Sequence, residues 1–355
     1  MTLLSRPKQH LSLWFLWMGA FYLVWAWLVF GHDRWNDVVE HWGIAVAMAI
    51  GSYAAGSTPM GGGTVGFPIL VLLFKQSAEL GRDFSFAVQS IGMTSAAIFI
   101  MARRQPLAWA MLKGAAIGIL FAVPIGVIWF APLIPSLWIK LVFAVVWGGF
   151  GLLHLWRIGE IAGHEGMTEF DERWDFRVGL ATGLLSGLLV VSVTGVGVDM
   201  VLYTVLVLLC RADLKIAIPT SVVIMAFGSL VGISTKALTS GVQPGVYENW
   251  LAAAPIVALG APLGVFMVNL IGRKPTLYFV ALLCVGQFIW TCYVESNALG
   301  TVGILCSIAA VGLMLWSFER LRIWGGHIVG EQQRKNADRA RNESQATPRM
   351  EVAKE

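Results

Sequence analysis

The chain has 355 residues, is 57% hydrophobic and only 13% charged, and carries sixteen Trp and nineteen Phe. With several apolar runs of about twenty residues, that composition excludes a soluble globule and describes an integral membrane protein. The formal charge of +4 gives no support to a nucleic-acid partner, because in a membrane protein the placement of Lys and Arg matters more than their sum. Cys210, Cys284, Cys292 and Cys306 are scattered through apolar segments without CxxC or Cys/His spacing, so no disulfide, metal or other cofactor is expected.

Arg6 and Lys8 precede an apolar run, Leu11 to Phe30, that superficially resembles a secretory signal. It is too long and too aromatic, and it lacks an A-x-A-like cleavage site, so a retained anchor helix with its loop is expected over 1–41. Further apolar segments fall at 42–58, 64–74, 84–102, 109–131, 136–156, 178–194, 200–210, 214–235, 249–271, 276–294 and 299–318. Segments 64–74 and 200–210 are too short to cross: at about 1.5 Å per residue each covers roughly half of a ~30 Å hydrocarbon core. Each is therefore paired with the segment before it as a broken hairpin, leaving eight full spans and two hairpins. From Gly325 to Glu355 the sequence is polar, of mixed charge and poor in large apolar residues, which predicts disorder. The resulting organisation is a first repeat over 42–156, a cytoplasmic linker over 157–176, a second repeat over 177–294, an extra helix over 295–320 and a polar tail over 321–355.

If each hairpin returns to its own side, most positive residues share one face. Of the 25 Lys and Arg, only Arg34, Lys75, Arg82, Lys140 and Lys236 lie opposite. That asymmetry predicts a multi-pass protein of the cell inner (plasma) membrane with both termini cytoplasmic. The halves also echo one another. "LVLLF" at 70–74 recurs as "LVLLC" at 206–210, Asp83 and Ala87 as Asp213 and Ala217, "AVPIGV" at 122–127 as "GAPLGV" at 260–265, and Gly148 and Phe150 as Gly286 and Phe288. The charge pattern starts one copy outside and the other inside, so an all-α architecture of two inverted-topology repeats is expected, each opening with a broken, re-entrant-like hairpin.

Both hairpins break at corresponding places, "STPMGGGTVGFP" at 57–68 and "VSVTGVGVDM" at 191–200. Gly and Pro are poor helix residues, and interrupted membrane helices are tolerated where the freed backbone lines a cavity or meets a ligand. Helix N-termini after the breaks, near Gly63 and Gly197, offer N–H groups and partial positive charge to an anion. Close helix packing by small residues is the competing explanation, and for a single cluster the better one; two clusters at matched positions favour a binding site. The candidate substrate-binding residues are Thr58, Gly61, Gly62, Gly63 and Thr64 from the first break, and Ser192, Thr194, Gly195 and Gly197 from the second. Gln89, Ser90, Thr220 and Ser221 join them from the helices that follow. Asp199, where the first half has Gly63, is the candidate for proton or ion coupling, with helix capping an equal alternative. Lys113, Lys140 and Lys236 read as snorkelling anchors near helix ends, and His154 as a residue near an interface.

These residues resemble the sulfite exporter TauE/SafE (TSUP) family, whose two halves each open with a G-x-G-G-G-x-x-x-P-x-L element. "MGGGTVGFPIL" at 60–70 keeps Gly61, Gly62, Gly63, Pro68 and Leu70. "TGVGVDMVLYTVL" at 194–206 keeps Gly195, Gly197 and Leu206, but has Val198 and Asp199 for two glycines and Thr204 for the proline. "ADLKIAIPTSVVIMAFGSLVG" at 212–232 looks like the family's following helix. The resemblance covers roughly 42–294 and implies transport of sulfite or a short organosulfonate such as sulfoacetate. The expected function is therefore secondary transport, as an exporter, of a small anion by alternating access. An anion channel, or an importer of a sulfur oxyanion or small carboxylate, is the alternative. No Walker loop, G-x-S-x-G or H-E-x-x-H motif is present, so an enzyme is not expected. The implied partners are the anionic substrate, the lipid bilayer and a coupling proton or sodium ion; self-association is left open.

Overall fold

The computed structural model describes residues 11–167 and 170–351, all helix and connecting loop, with no strand among them. In chain order the helices are α1 (Leu11–Phe30), α2 (Trp35–Glu40), α3 (Trp42–Ser57), α4 (Gly63–Leu73), α5 (Ala78–Ala102), α6 (Trp109–Leu133), α7 (Ser136–Ile161), α8 (Glu172–Thr194), α9 (Val198–Leu208), α10 (Leu214–Leu238), α11 (Val246–Ile271), α12 (Arg273–Val294) and α13 (Ser296–Glu351). Among the described residues nine helices are long and apolar enough to cross a membrane. The protein is a multi-pass membrane protein. Eight of the nine are the expected full spans; the ninth is α8, which begins before the expected 178–194 segment.

The two short helices fold back on the helices that precede them. In the first hairpin Gly43 faces the Phe74 ring, Gly51 faces Val65, and Met48 reaches Gly62 and Gly66, so α3 and α4 run antiparallel and residue 74 returns to the face from which residue 42 started. In the second, Val190 packs at Gly197, while Asp213 N donates to Gly166 O at 2.6 Å and closes the outer end. The following helices start on matched caps. Ser77 Oγ accepts from Leu80 N at 3.1 Å before α5, and Asp213 Oδ1 accepts from Lys215 N at 2.8 Å before α10; each satisfies a first-turn amide that has no partner within its helix.

Packing is symmetric under exchange of the halves. Helix α3 lies along α11 and α8 along α6; α5 contacts α11 and α10 contacts α6; α4 sits on α5 and α9 on α10; α5 pairs with α10, and α7 with α12. Matched motifs make matched contacts: Gly126 seats against Ser192 on the first arm of the second hairpin, and Gly264 against Tyr53 and Gly56 on the first arm of the first. These seams are lined by small residues. Gly114 and Gly118 meet the backbone of α8, Gly179 and Gly183 that of α6, and Gly56 that of Ala261. Lipid tails are as apolar as Leu, so close backbone approach and van der Waals packing hold such helices together.

Helix α1 attaches from outside through Trp14 Nε1 to Ser95 Oγ (3.2 Å), Tyr22 Oη to Pro255 O (2.7 Å) and Trp25 Nε1 to Leu251 O (2.9 Å). Its Leu16 and Leu23 stay exposed, as a lipid-facing surface requires. The C-terminal segment departs from expectation. It is helical to Glu351, continuing α13, and Gly325 abuts the backbone of Leu208 and Leu209 with Val329 buried. Arg322 bridges Glu160 at 3.0 Å and pairs with Glu319 at 2.5 Å, while Arg157 reaches Glu319 at 2.9 Å. Polar composition hid an extended helix anchored by these ion pairs.

Candidate functional site

The two hairpin tips meet inside the bundle, against one face of α5. Gln89 is 1% exposed; its Nε2 donates to Ser85 O on its own helix at 3.1 Å and to Gly195 O of the second tip at 3.4 Å. The first tip closes on the same side chain. A Cβ on Gly61 would overlap Gln89 Oε1 and lie 3.3 Å from Asp199 Oδ2, and one on Gly63 would strike Val196, Gln89 Nε2 and Ser85 Oγ. Glycine is needed here because backbone, carboxamide and the opposite tip share one small volume. The second tip turns through Gly195 and Gly197, both at positive φ (80° and 109°), a conformation costly for residues with a Cβ.

Asp199 sits in the first turn of α9, 1% exposed. Its Oδ1 accepts from Met200 N at 2.9 Å. Its Oδ2 and Gln89 Oε1 are both buried without a hydrogen-bond partner, and both lie close to the point a Gly61 Cβ would occupy. Two acceptors lacking a donor mark a place where a proton, a cation or a ligand donor is needed. Trp147 of α7 walls the site, donating from Nε1 to Thr64 Oγ1 at 2.9 Å and stacking on Phe143, with Gly197 against its ring.

The family model of the sulfite exporter TauE/SafE family matches residues 43–290, from the start of the first hairpin through most of α12. The chain belongs to that family. No curated protein and no solved structure matches it significantly. TauE/SafE proteins are exporters of sulfite and related anions, transporters rather than enzymes, and the glycine-rich element at 60–70 is the first tip and helix α4.

Of the residues singled out from the sequence, Gly61, Gly63, Gln89, Gly195 and Asp199 converge at the centre of this TauE/SafE fold, with Thr64 and Gly197 tied to the Trp147 wall. Thr58, Ser192 and Thr194 are buried at the tips but spend their hydroxyls on backbone, Thr58 on Ala54 O (2.6 Å), Ser192 on Leu188 O (2.5 Å) and Thr194 on Val190 O (2.8 Å) and Val196 O (2.9 Å). Gly62 faces Met48 and Ala55 instead of the second tip. Ser90 bonds to Ala87 O and borders a lateral groove with Trp250 and Ile233. Thr220 accepts from Ala108 N at 3.0 Å and donates to Ile216 O, and Ser221 donates to Ile218 O, so both satisfy backbone near the start of α10.

Ser85, Trp147 and Val196 belong to the site and were not singled out. Two other readings change. Lys236 is no snorkelling anchor, being 4% exposed and 3.2 Å from Asp83. His154 is fully buried, with Nδ1 2.9 Å from Phe150 O and Nε2 3.1 Å from Tyr203 Oη. Lys140, which sits near a helix end, pairs with Glu295 at 2.6 Å. On the face where α7 ends and α12 begins, a polar cavity is lined by His164, Glu165, Asp213, Lys215, Arg273 and Lys274. Burial, then the nearby Arg211 guanidinium, holds the His164 imidazole below its ordinary value, which favours a neutral ring.

Proposed function

We propose that the protein is a secondary transporter that exports a small anion, sulfite or a short organosulfonate such as sulfoacetate, across the cell inner membrane by alternating access between inverted halves. The observation that carries this reading is the meeting of two glycine-rich hairpin tips at Gln89, with the start of a helix on either side. Backbone amides at helix starts bind anions through oriented N–H groups without a fixed countercharge, which suits a cargo that must be released. Inversion is supported by the two fold-back hairpins being separated by α5, α6 and α7, an odd number of crossings. The same count supports a scheme in which the start of α1 and the end of α13 share the face rich in Lys and Arg, the cytoplasmic side under the positive-inside rule.

Asp199 is the coupling group in this scheme. A carboxylate beside an anion opposes binding; a protonated one donates from Oδ2 to Gln89 Oε1 and satisfies both unpartnered acceptors. Proton uptake and anion occupancy are then linked at one point. The test is counterflow of labelled sulfite, sulfoacetate, taurine and sulfate in proteoliposomes. Saturable exchange of sulfite or sulfoacetate, abolished in Gly63→Val, is the expected result. Flux that follows only the electrochemical gradient of the anion, with no counterflow, would replace the transporter with a channel.

A further inference from the structure

Where α5 begins and α10 ends, a second set of polar groups is packed away from solvent. The side chains of Arg82, Asp83 and Lys236 are 6%, 0% and 5% exposed. Arg82 Nε donates to Asp83 Oδ1 at 3.0 Å, and Lys236 Nζ lies 3.2 Å from Asp83 Oδ2. That same oxygen accepts from Gln243 N at 3.1 Å, tying the loop after α10 to α5. Asp83 is the sole carboxylate within ion-pair distance of either cation among the described residues, so two positive charges share one negative. A buried charge without a full partner is costly, and the cost falls when an ion of opposite sign arrives.

Two further observations place this excess charge on the way to the hairpin tips. The Arg82 carbonyl abuts Gly195, at the turn of the second tip. Arg82, Ser85 and Gln89 also follow one another at three and four residues along α5, the spacing of a single helix face, so that face leads from the cluster to the centre. Of the guanidinium nitrogens only Nε is engaged by Asp83; the fork of terminal nitrogens makes no hydrogen bond among the described residues.

We propose that Arg82 and Lys236 form a binding step for a small oxyanion, outside the hairpin tips and on the face opposite the His164 cavity. The guanidinium fork takes two oxygens and the ammonium one, the geometry for which Arg is suited. Asp83 holds the two cations in place and competes with the anion for them, which keeps the step weak enough for onward transfer. The proposal rests on the anion reading above, and its test is separable from it.

Thermal unfolding of the purified full chain in detergent is followed in sodium sulfite, sulfate and chloride at equal ionic strength. Wild type is stabilised by the oxyanions beyond chloride. Arg82→Gln keeps the Asp83–Lys236 pair, now neutral overall, and needs at least about tenfold more oxyanion for the same shift, the effect of losing a charged hydrogen-bond donor; Arg82→Lys recovers part of it. Asp83→Asn acts in the opposite sense, removing the competitor and lowering the concentration required. An oxyanion response that is absent in wild type, unchanged in Arg82→Gln, or weakened in Asp83→Asn overturns the proposal. Counterflow by wild type judges the transport reading independently. An Arg82-dependent response without counterflow would leave this site standing and remove the transporter, and counterflow with an unchanged Arg82→Gln response would do the reverse.

Discussion

Replacing Asp199 by Asn separates its two oxygens. Oδ1 serves the helix, accepting from Met200 N at 2.9 Å, and an Asn carbonyl does the same. Oδ2 has no partner, and neither has Gln89 Oε1; an Asn amide in place of Oδ2 brings a donor to that acceptor. A buried polar group left unsatisfied costs about 1–3 kcal/mol, and the lost attraction between a carboxylate and the helix start returns about 0.3–1 kcal/mol. Under conditions where the wild-type carboxyl is ionised, Asp199→Asn is therefore expected to stabilise the protein by up to about 2.7 kcal/mol, the difference of those terms. In a chain of this length that is a rise of a few degrees or less in melting temperature. The side chain is also fixed in the hydrogen-bonding state of the protonated acid, so counterflow persists while accumulation driven by an imposed pH gradient is lost. The two measurements are thermal unfolding in detergent and flux in liposomes with and without the gradient. Proton-driven accumulation at the wild-type level in Asp199→Asn would refute the coupling role and leave a structural cap.

The glycines of the first tip should differ among themselves. Gly61→Ala and Gly63→Ala place a methyl on Gln89 or Val196 and should abolish counterflow, whereas Gly62→Ala meets the flexible end of Met48 at 3.0 Å and should keep most of it; equal losses in all three would return the cluster to a packing role. Single cysteines placed at Gln76 and Arg211, on the connections after the two hairpins, should be labelled from opposite faces of sealed vesicles, and same-side labelling would end the inverted-repeat scheme. Trp147→Phe removes the donor to Thr64 Oγ1 and should lower stability by about 1 kcal/mol, read by thermal unfolding, with a larger loss in flux because the wall of the site is loosened. An unchanged rate would exclude Trp147 from the site.

The spans and both hairpins were legible in the sequence because membrane thickness sets a length that apolar runs either reach or miss, and 64–74 and 200–210 miss it. Both tips were legible for a related reason. Gly61, Gly63, Gly195 and Gly197 are poor helix residues inside apolar segments, and only a break explains them in pairs. Which face of a buried helix meets the site was not legible. Helix α5 carries Ser85, Gln89 and Ser90 within six residues, almost all of its surface is covered, and hydropathy gives no polar side by which to orient it. Sequence pattern therefore does not distinguish Ser85, which faces the tips, from Ser90, which borders a lateral groove. Thr220 and Ser221 looked like ligands by their place in the repeat, but in a bilayer a hydroxyl is as readily spent on its own helix. The same holds for Lys236: a position near a helix end suggests snorkelling, and only the fold brings Asp83 to it from more than one hundred and fifty positions away.

The departures from symmetry carry the chemistry that the symmetric scaffold lacks. Exchange of the halves maps α5 onto α10 and one hairpin onto the other, yet Asp199 stands where the first half has Gly63, and Arg82, the residue before Asp83, stands where the second half has Ala212 before Asp213. A symmetric pair of glycine tips presents the same backbone to an anion from either side and by itself sets no direction. An ionisable carboxyl contributed by the second half alone, and a buried guanidinium contributed by the first half alone, make the two approaches to the tips chemically different. A carrier that couples anion movement to another ion needs its states to differ in affinity, because a ligand bound equally in all states shifts none of them. These two among the residues that break the repeat are thus where such a difference can arise, and variants restoring symmetry at them, Asp199→Gly and Arg82→Ala together, should retain the fold but exchange the anion without coupled accumulation. Coupled accumulation surviving in that double variant would show that directionality lies elsewhere in the scaffold.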